Sequence, residues 1–414
     1  MTAAAPRRAL PPLDPVLRDH VLVTLWIFVT FKQFDGDELI LYPLALYFLW
    51  AFVRDFDLLF DMVARSLVLW LFPAWWMLSA TWGAEPLFVL RSGLQLILTI
   101  VICYCAVLRL SGRQIMVSVL LVAGWYGILS LVADPNGGRG ARGVFYSKNS
   151  LGAAMVMLWT AAICVVADPR AGRLARVASL LLALLAVRLI LVSNSATAIL
   201  LAAAAGAVVG GFVLTRRLTG PTLLAAIAMT GALVAFAVAW ATITQTDLDV
   251  VSRVLAAFGK DATLTGRTVL WDYAAVEVAR DPWLGKGAGG FWTPFDGLST
   301  AHKIYVEFHK VPYAKFSFHN SYVEIAVHQG LIGVGIVVVA TAWCVMRNVG
   351  AAVVSKTTES LFFLCMTMIT LARSVTESGL MATFSLLSML MIMGALGTLP
   401  RRVRHPHDGV AAAT

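Results

Sequence analysis

The chain has 414 residues, 59% of them hydrophobic and 13% charged, with a mean hydropathy of +0.81 and a formal charge of +9. A soluble protein of this length carries roughly a quarter charged residues, so an ordinary soluble domain is excluded. A net positive charge would suit a nucleic-acid partner, but more than half of the 32 Lys and Arg fall in short connections between apolar runs, where a topology signal belongs. No nucleic acid is expected.

The composition predicts an all-α polytopic membrane protein. Taken in chain order, hydropathy predicts about twelve spans: 20–32, 38–53, 66–82, 87–108, 115–133, 150–167, 176–192, 196–214, 221–243, 320–346, 359–374 and 380–398. The first two are short enough to lie partly at the interface. No cleavable signal peptide is evident before the first run. With the N-terminus inside, the inner connections hold Arg7, Arg8 and Arg18, then Arg54 and Arg65, then Arg109 and Arg113. They continue with Arg170, Arg173 and Arg176, then Arg216 and Arg217, then Arg347 and Lys356, and end with Arg401, Arg402 and Arg404. Both termini are therefore expected in the cytoplasm. Residues 1–19 form a tail, 20–243 the first nine spans, 244–318 one large outer loop, 319–398 the last three spans, and 399–414 a second tail. All five cysteines lie in apolar runs and read as small core residues. Trp75, Trp76 and Trp82 near one span end suit an aromatic belt.

Ionisable groups within or beside spans are costly, so those on the outer side are candidates for function. Arg188 lies about one turn from the outer end of its span. It either snorkels to the headgroups or presents a guanidinium fork to a phosphate. Arg142 and Lys148 flank a glycine-containing entry into the next span, which reads as an anion site at a helix start or as an ordinary capped start with solvated charges. Arg267 opens an amphipathic stretch of the large loop and is a further phosphate candidate. The glycine cluster from Gly285 to Gly290 follows a helix instead of a strand, which argues against a dinucleotide site. His302, Glu307 and His309 lack the spacing of a metal site. His319, where the loop meets a span, has a side chain whose ordinary pKa suits proton abstraction near neutral pH; the alternative is a capping histidine. Asn320 and Ser321 initiate the following helix. Glu324 is placed to orient the imidazole or a substrate, Arg373 and Glu377 are one turn apart and able to pair, and His328 reads as a packing residue.

His319-Asn320, then nine residues, then Gly330 and Gly333 together resemble the hallmark of the O-antigen ligase and Wzy-type polymerase superfamily. Gly266 to Trp271, Pro282 to Gly287 and the exopolysaccharide-polymerase-like run Val144 to Gly152 extend the resemblance over roughly residues 140–400. The resemblance implies a GT-C-like glycosyltransferase architecture in the bacterial inner membrane with a periplasmic loop and active site. It further implies transfer of a glycan from an undecaprenyl-diphosphate carrier to an acceptor sugar hydroxyl, with no metal and no cofactor. His319 would be the general base, and Arg188 and Arg267 would bind the diphosphate. Arg142, Lys148, Asn320, Glu324, Arg373 and Glu377 would line the substrate site. Donor glycan, acceptor glycan, the bilayer and a chain-length regulator are the implied partners. Arg267 has Leu270 three residues on, not four as the ligases have, which tilts the reading toward polymerisation of repeat units. Ligation to lipid A-core is the alternative, and a transporter or flippase the second.

Overall fold

A computed structural model of the chain describes residues 15–135, 137–215, 266–292, 299–311 and 316–400. Among these residues every regular element is helical. The early helices are α1 (Pro15–Phe31), α2 (Glu38–Arg54), α3 (Phe56–Ala64) and α4 (Val68–Leu78), the last followed by a 3₁₀ turn at Ser79–Thr81. Then come α5 (Pro86–Arg109), α6 (Gly112–Ala133), α7 (Lys148–Ala167), α8 (Arg173–Ser193) and α9 (Ala196–Thr215). After the expected span at 221–243, which lies outside the described residues, follow α10 (Arg267–Arg280), α11 (Thr300–Glu307), α12 (Ser321–Ser355), α13 (Thr358–Ser374) and α14 (Leu386–Leu396).

Among the described residues six helices (α5 to α9 and α12) are long and apolar enough to cross a bilayer, or seven if α2 and α3, bent by 87°, form one broken span. Sequence reading expects about twelve, and the difference has a physical source. α1 and α13 each have 17 residues and α14 only 11. At 1.5 Å per residue they fall short of a hydrocarbon core of about 30 Å, as does the apolar stretch Val68–Thr81 at the expected span 66–82. α8 and α9 leave Leu174, Leu181, Leu184, Leu200 and Leu214 exposed. In water so much uncovered apolar surface would be unfavourable, whereas lipid tails accept it. The chain is thus a multi-pass membrane protein. Its interior is packed around Trp26, Phe48, Tyr104 and Phe362, and all five cysteines are buried and unbridged.

Charged side chains sort to the two ends of the bundle. At one end Arg109 pairs with Asp19 at 3.2 Å and Asp55 at 2.6 Å, and Arg113 pairs with Asp168 at 2.7 Å. Arg170 joins Asp168 to Glu359 there. α7 and α13 pack together, and because Arg170 just beyond the C-terminus of α7 meets Glu359 at the start of α13, the two helices are antiparallel. The N-terminus of α7 and the C-terminus of α13 therefore share the opposite end, which holds Lys148, Arg373, Glu377 and His319.

α12 is interrupted at Gly330, whose φ of +66° and ψ of −177° lie in a region essentially reserved for glycine. The break removes the usual bond from the Leu331 amide to the Val327 carbonyl. Both groups instead pair with the chain after α10: Leu331 N–H donates to the Pro282 carbonyl at 2.8 Å, and Lys286 N–H donates to the Val327 carbonyl at 2.9 Å. A Cβ at Gly330 would overlap the Trp283 carbonyl, and one at Gly285 would lie 2.6 Å from the Gly330 nitrogen. The two backbones touch directly. Gly330→Ala is therefore expected to lower stability by at least about 2 kcal/mol, read as a fall in the thermal unfolding midpoint of the detergent-solubilised protein. An unchanged midpoint would contradict this role for the break.

Candidate functional site

His319 lies between α11 and α12 at a left-handed φ of +51°, a conformation that costs most residues of order 1 kcal/mol and persists only when its surroundings hold it. Phe318 supplies that hold. Its ring is fully buried against Phe291 and Trp292. Its carbonyl accepts from Trp271 Nε1 at 2.9 Å, and its N–H donates to Glu324 Oε2 at 2.8 Å. On the other side, Asn320 Oδ1 caps α12 by accepting from the amides of Tyr322 at 2.9 Å and Val323 at 3.2 Å.

His319 Nδ1 lies 3.3 Å from Glu377 Oε2. A carboxylate only accepts, so in the neutral imidazole this contact places the ring proton on Nδ1 and leaves the Nε2 lone pair free. Glu377 Oε1 in turn lies 3.6 Å from an Arg267 guanidinium nitrogen. The turn carrying Glu377 is pinned by Ser321, whose hydroxyl donates to the Glu377 carbonyl at 2.7 Å and accepts from the amides of Gly379 at 3.0 Å and Leu380 at 3.1 Å. Arg373 is one turn before Glu377. The Glu377 amide donates to the Arg373 carbonyl at 2.7 Å, and no ion pair joins their side chains. Burial pushes the Glu377 carboxyl upward, but the His319 hydrogen bond and the charges of Arg373 and Arg267 more than offset it, leaving it below its ordinary value. Within this part of the fold lie an imidazole oriented by a carboxylate, a guanidinium on the far side of that carboxylate, and a second one near by. Such a set can accept a proton at Nε2 and hold an anion.

Glu324 does not touch His319. Its Oε1 accepts from Trp292 Nε1 at 2.8 Å and faces His328 Nε2 at 3.2 Å, and its Oε2 accepts from Phe318 N–H and from Ser378 Oγ at 3.3 Å. Arg188 donates to the Pro135 carbonyl at 2.6 Å. The amides of Gly140 and Ala141 donate to the Val192 carbonyl, so the loop carrying exposed Arg142 is tied to the end of α8 that carries Arg188. Lys148 opens α7 behind its cap, Ser147. These three cations share the His319 end of the bundle, but no hydrogen bond or ion pair among the described residues links them to His319 or Glu377. Ser321, Ser378, Trp271, Trp292 and His328 are not singled out for the site by sequence. Only the i, i+4 spacing of Glu324 and His328 on one helix face is a usable signal for them.

A polytopic helical membrane protein whose loop delivers a histidine into this setting falls within a known class. The O-antigen ligase family model, Wzy_C, matches residues 179–338, which include His319, Gly330 and Gly333. The exopolysaccharide production protein ExoQ of Rhizobium meliloti (strain 1021) is 30% identical over 307 residues, covering 70% of this chain and 67% of that protein. The chain belongs to the O-antigen ligase and Wzy-type polymerase family, whose ligase- and polymerase-like members act in polysaccharide biosynthesis.

Because the Glu377 carboxyl is depressed, it stabilises the fold above the ordinary glutamate value, and that contribution disappears as pH falls through its folded value. Glu377→Gln is expected to melt earlier than the parent at neutral pH. The gap should narrow as pH falls below about 4.3. A gap of constant size down to acid unfolding would contradict the assignment.

Proposed function

We propose that the chain is a glycosyltransferase of the periplasmic face of the inner membrane, moving a glycan from an undecaprenyl-diphosphate carrier to an acceptor sugar hydroxyl and polymerising lipid-linked repeat units of an exopolysaccharide or O-antigen. The observation that carries this reading is the contact between His319 Nδ1 and Glu377, which leaves Nε2 available as a base while Arg267 lies against the other oxygen of the same carboxylate. In the reaction, the acceptor hydroxyl oxygen bonds to the anomeric carbon as the bond from that carbon to the diphosphate oxygen breaks. The hydroxyl proton passes to His319 Nε2, and the electron pair leaves on the diphosphate, where Arg267 and Arg373 stabilise the growing charge. Glu377 steadies the resulting imidazolium. Arg188, with Arg142 and Lys148, binds the diphosphate or the headgroup region of a lipid-linked substrate at the same end of the bundle. The diphosphate is already a good leaving group, so neither a metal nor a nucleotide is required.

The reading includes a chain of about twelve crossings, both termini cytoplasmic and residues 244–318 forming one periplasmic loop, with a chain-length regulator as a partner. The gathering of Arg109, Arg113 and Arg170 at the end opposite His319 is in keeping with that orientation. The name of ExoQ, an exopolysaccharide production protein, favours a polymerase. The family description, O-antigen ligase, favours transfer to lipid A-core as the second reading.

His319→Ala is expected to cut polymer formation by about 10²-fold or more, the usual contribution of a general base, and Arg267→Ala by a comparable factor. Both are measured as the glycan ladder from cells producing the stably inserted variant. Normal ladder length and amount in His319→Ala would overturn the transferase reading. Product on lipid A-core instead of a longer lipid-linked glycan would select the ligase, and substrate accumulation in vesicles containing only this protein would select a transporter.

A further inference from the structure

The four donors around Glu324 reach it from both segments that carry the His319–Glu377 contact, from the loop and from α12 itself. Phe318 precedes the proposed base, Ser378 follows the carboxylate that orients it, Trp292 belongs to the loop, and His328 lies one turn further along α12. The carboxylate is therefore a junction between the residue before His319 and the residue after Glu377. His328 is buried, and its other nitrogen, Nδ1, lies 3.3 Å from the Gly287 carbonyl. Both oxygens that His328 faces are acceptors, so both contacts are hydrogen bonds only when each ring nitrogen carries a proton. Gly287 lies just past the segment docked into the break at Gly330, and the Ala288 amide next to it donates to Ser79 Oγ at 3.2 Å. His328 thus joins the docked loop to Glu324, and Glu324 joins that unit to both halves of the His319–Glu377 contact.

We propose that Glu324 and His328 are positioning residues for the transfer reaction, setting the separation of His319 from Glu377 through the bonds of Glu324 to Phe318 and Ser378. Neither touches the proposed substrate path through His319 Nε2. The 3.3 Å contact of His319 with Glu377 depends on two chain segments that are remote in sequence. Ser321, two residues after the histidine, holds the main chain of the Glu377 turn, and Glu324 bonds to both segments. A carboxylate is the group suited to this place, because four donors converge on two oxygens and an amide would turn its own N–H₂ toward two of them. The inference rests on the transferase reading, and its test separates the two.

The two isosteric replacements of His328 discriminate. Glutamine places its amide nitrogen where Nε2 stands and keeps the bond to Glu324. Asparagine places its nitrogen where Nδ1 stands and keeps only the bond to Gly287. The full chain, purified and reconstituted in liposomes, is assayed with the diphosphate-linked oligosaccharide lipid extracted from cells lacking this protein. Glu324→Gln and His328→Asn are expected to lower kcat by on the order of 10- to 100-fold, the effect of misplacing a reacting group by a fraction of an ångström to an ångström. Their KM for the lipid donor should change by less than about threefold, and His328→Gln should stay within about threefold of the parent kcat. His328→Asn matching or exceeding His328→Gln overturns the proposal, as does parental kcat in Glu324→Gln while His319→Ala is inactive. Should Glu324→Gln fail to fold, the order of the two His328 variants still decides. Full activity in His319→Ala would instead remove the transferase reading itself.

Discussion

The site depends on a helix that fails to close its own hydrogen-bond ladder. At Gly330 the backbone of α12 turns away from helical geometry, and the Leu331 amide and Val327 carbonyl are satisfied by the segment after α10. An orphaned pair of buried backbone groups would cost a few kcal/mol, so the break needs that segment in place, and the break in turn supplies the segment with two of its backbone partners. Around this seam the rest of the outer end assembles. Trp75 Nε1 donates to the Gln329 carbonyl at 3.1 Å, bringing α4 to the same point. His328 and Glu324, on the turn before the break, extend the seam toward Phe318.

The histidine is held by covalent neighbours with little freedom. Phe318 is fixed through its ring, its carbonyl and its amide, and Asn320 is fixed through its cap, so His319 is left to adopt a left-handed conformation between two immobile residues. Strain of this kind is sustained by its surroundings and tends to occur where a side chain must point in one direction. The charge pattern is equally uneven. At one end of the bundle Arg109, Arg113 and Arg170 are paired with Asp19, Asp55, Asp168 and Glu359. At the His319 end a single carboxylate, Glu377, faces His319, Arg267 and Arg373 together, leaving an excess of positive charge suited to an anionic substrate.

Much of this was legible in the sequence, for reasons that differ by residue. The long apolar helices follow from composition, because about twenty apolar residues in a row have few alternatives to a span. The helix starts at Asn320 and at Lys148 are written in their caps, Asn320 and Ser147. The spacing from His319 to Gly330 and Gly333 shows in the sequence as a motif, but its physical content does not. That Gly330 breaks α12 and receives the Pro282–Lys286 backbone is a contact between positions about 45 residues apart, invisible to periodicity. Glu377 as the partner of His319 is hidden in the same way, since its neighbour in sequence is Arg373 while its neighbour in space lies 58 positions earlier. The number of crossings suffers from a different ambiguity. Short apolar helices such as Val68–Thr81 and Leu386–Leu396 can be shortened crossings or buried segments, and hydropathy scores both alike.

The seam at Gly330 bears on how this chain can vary. Its rungs join main-chain atoms, so replacing an outward-facing side chain such as Trp283, which is 64% exposed, leaves each rung in place. A residue inserted or deleted between Pro282 and Lys286, or between Val327 and Ile332, shifts the register of one backbone against the other and misaligns all the rungs at once. The segment should accordingly accept substitutions far more readily than changes of length, with its fixed count of residues acting as the ruler that keeps the loop, and His319 beyond it, in place.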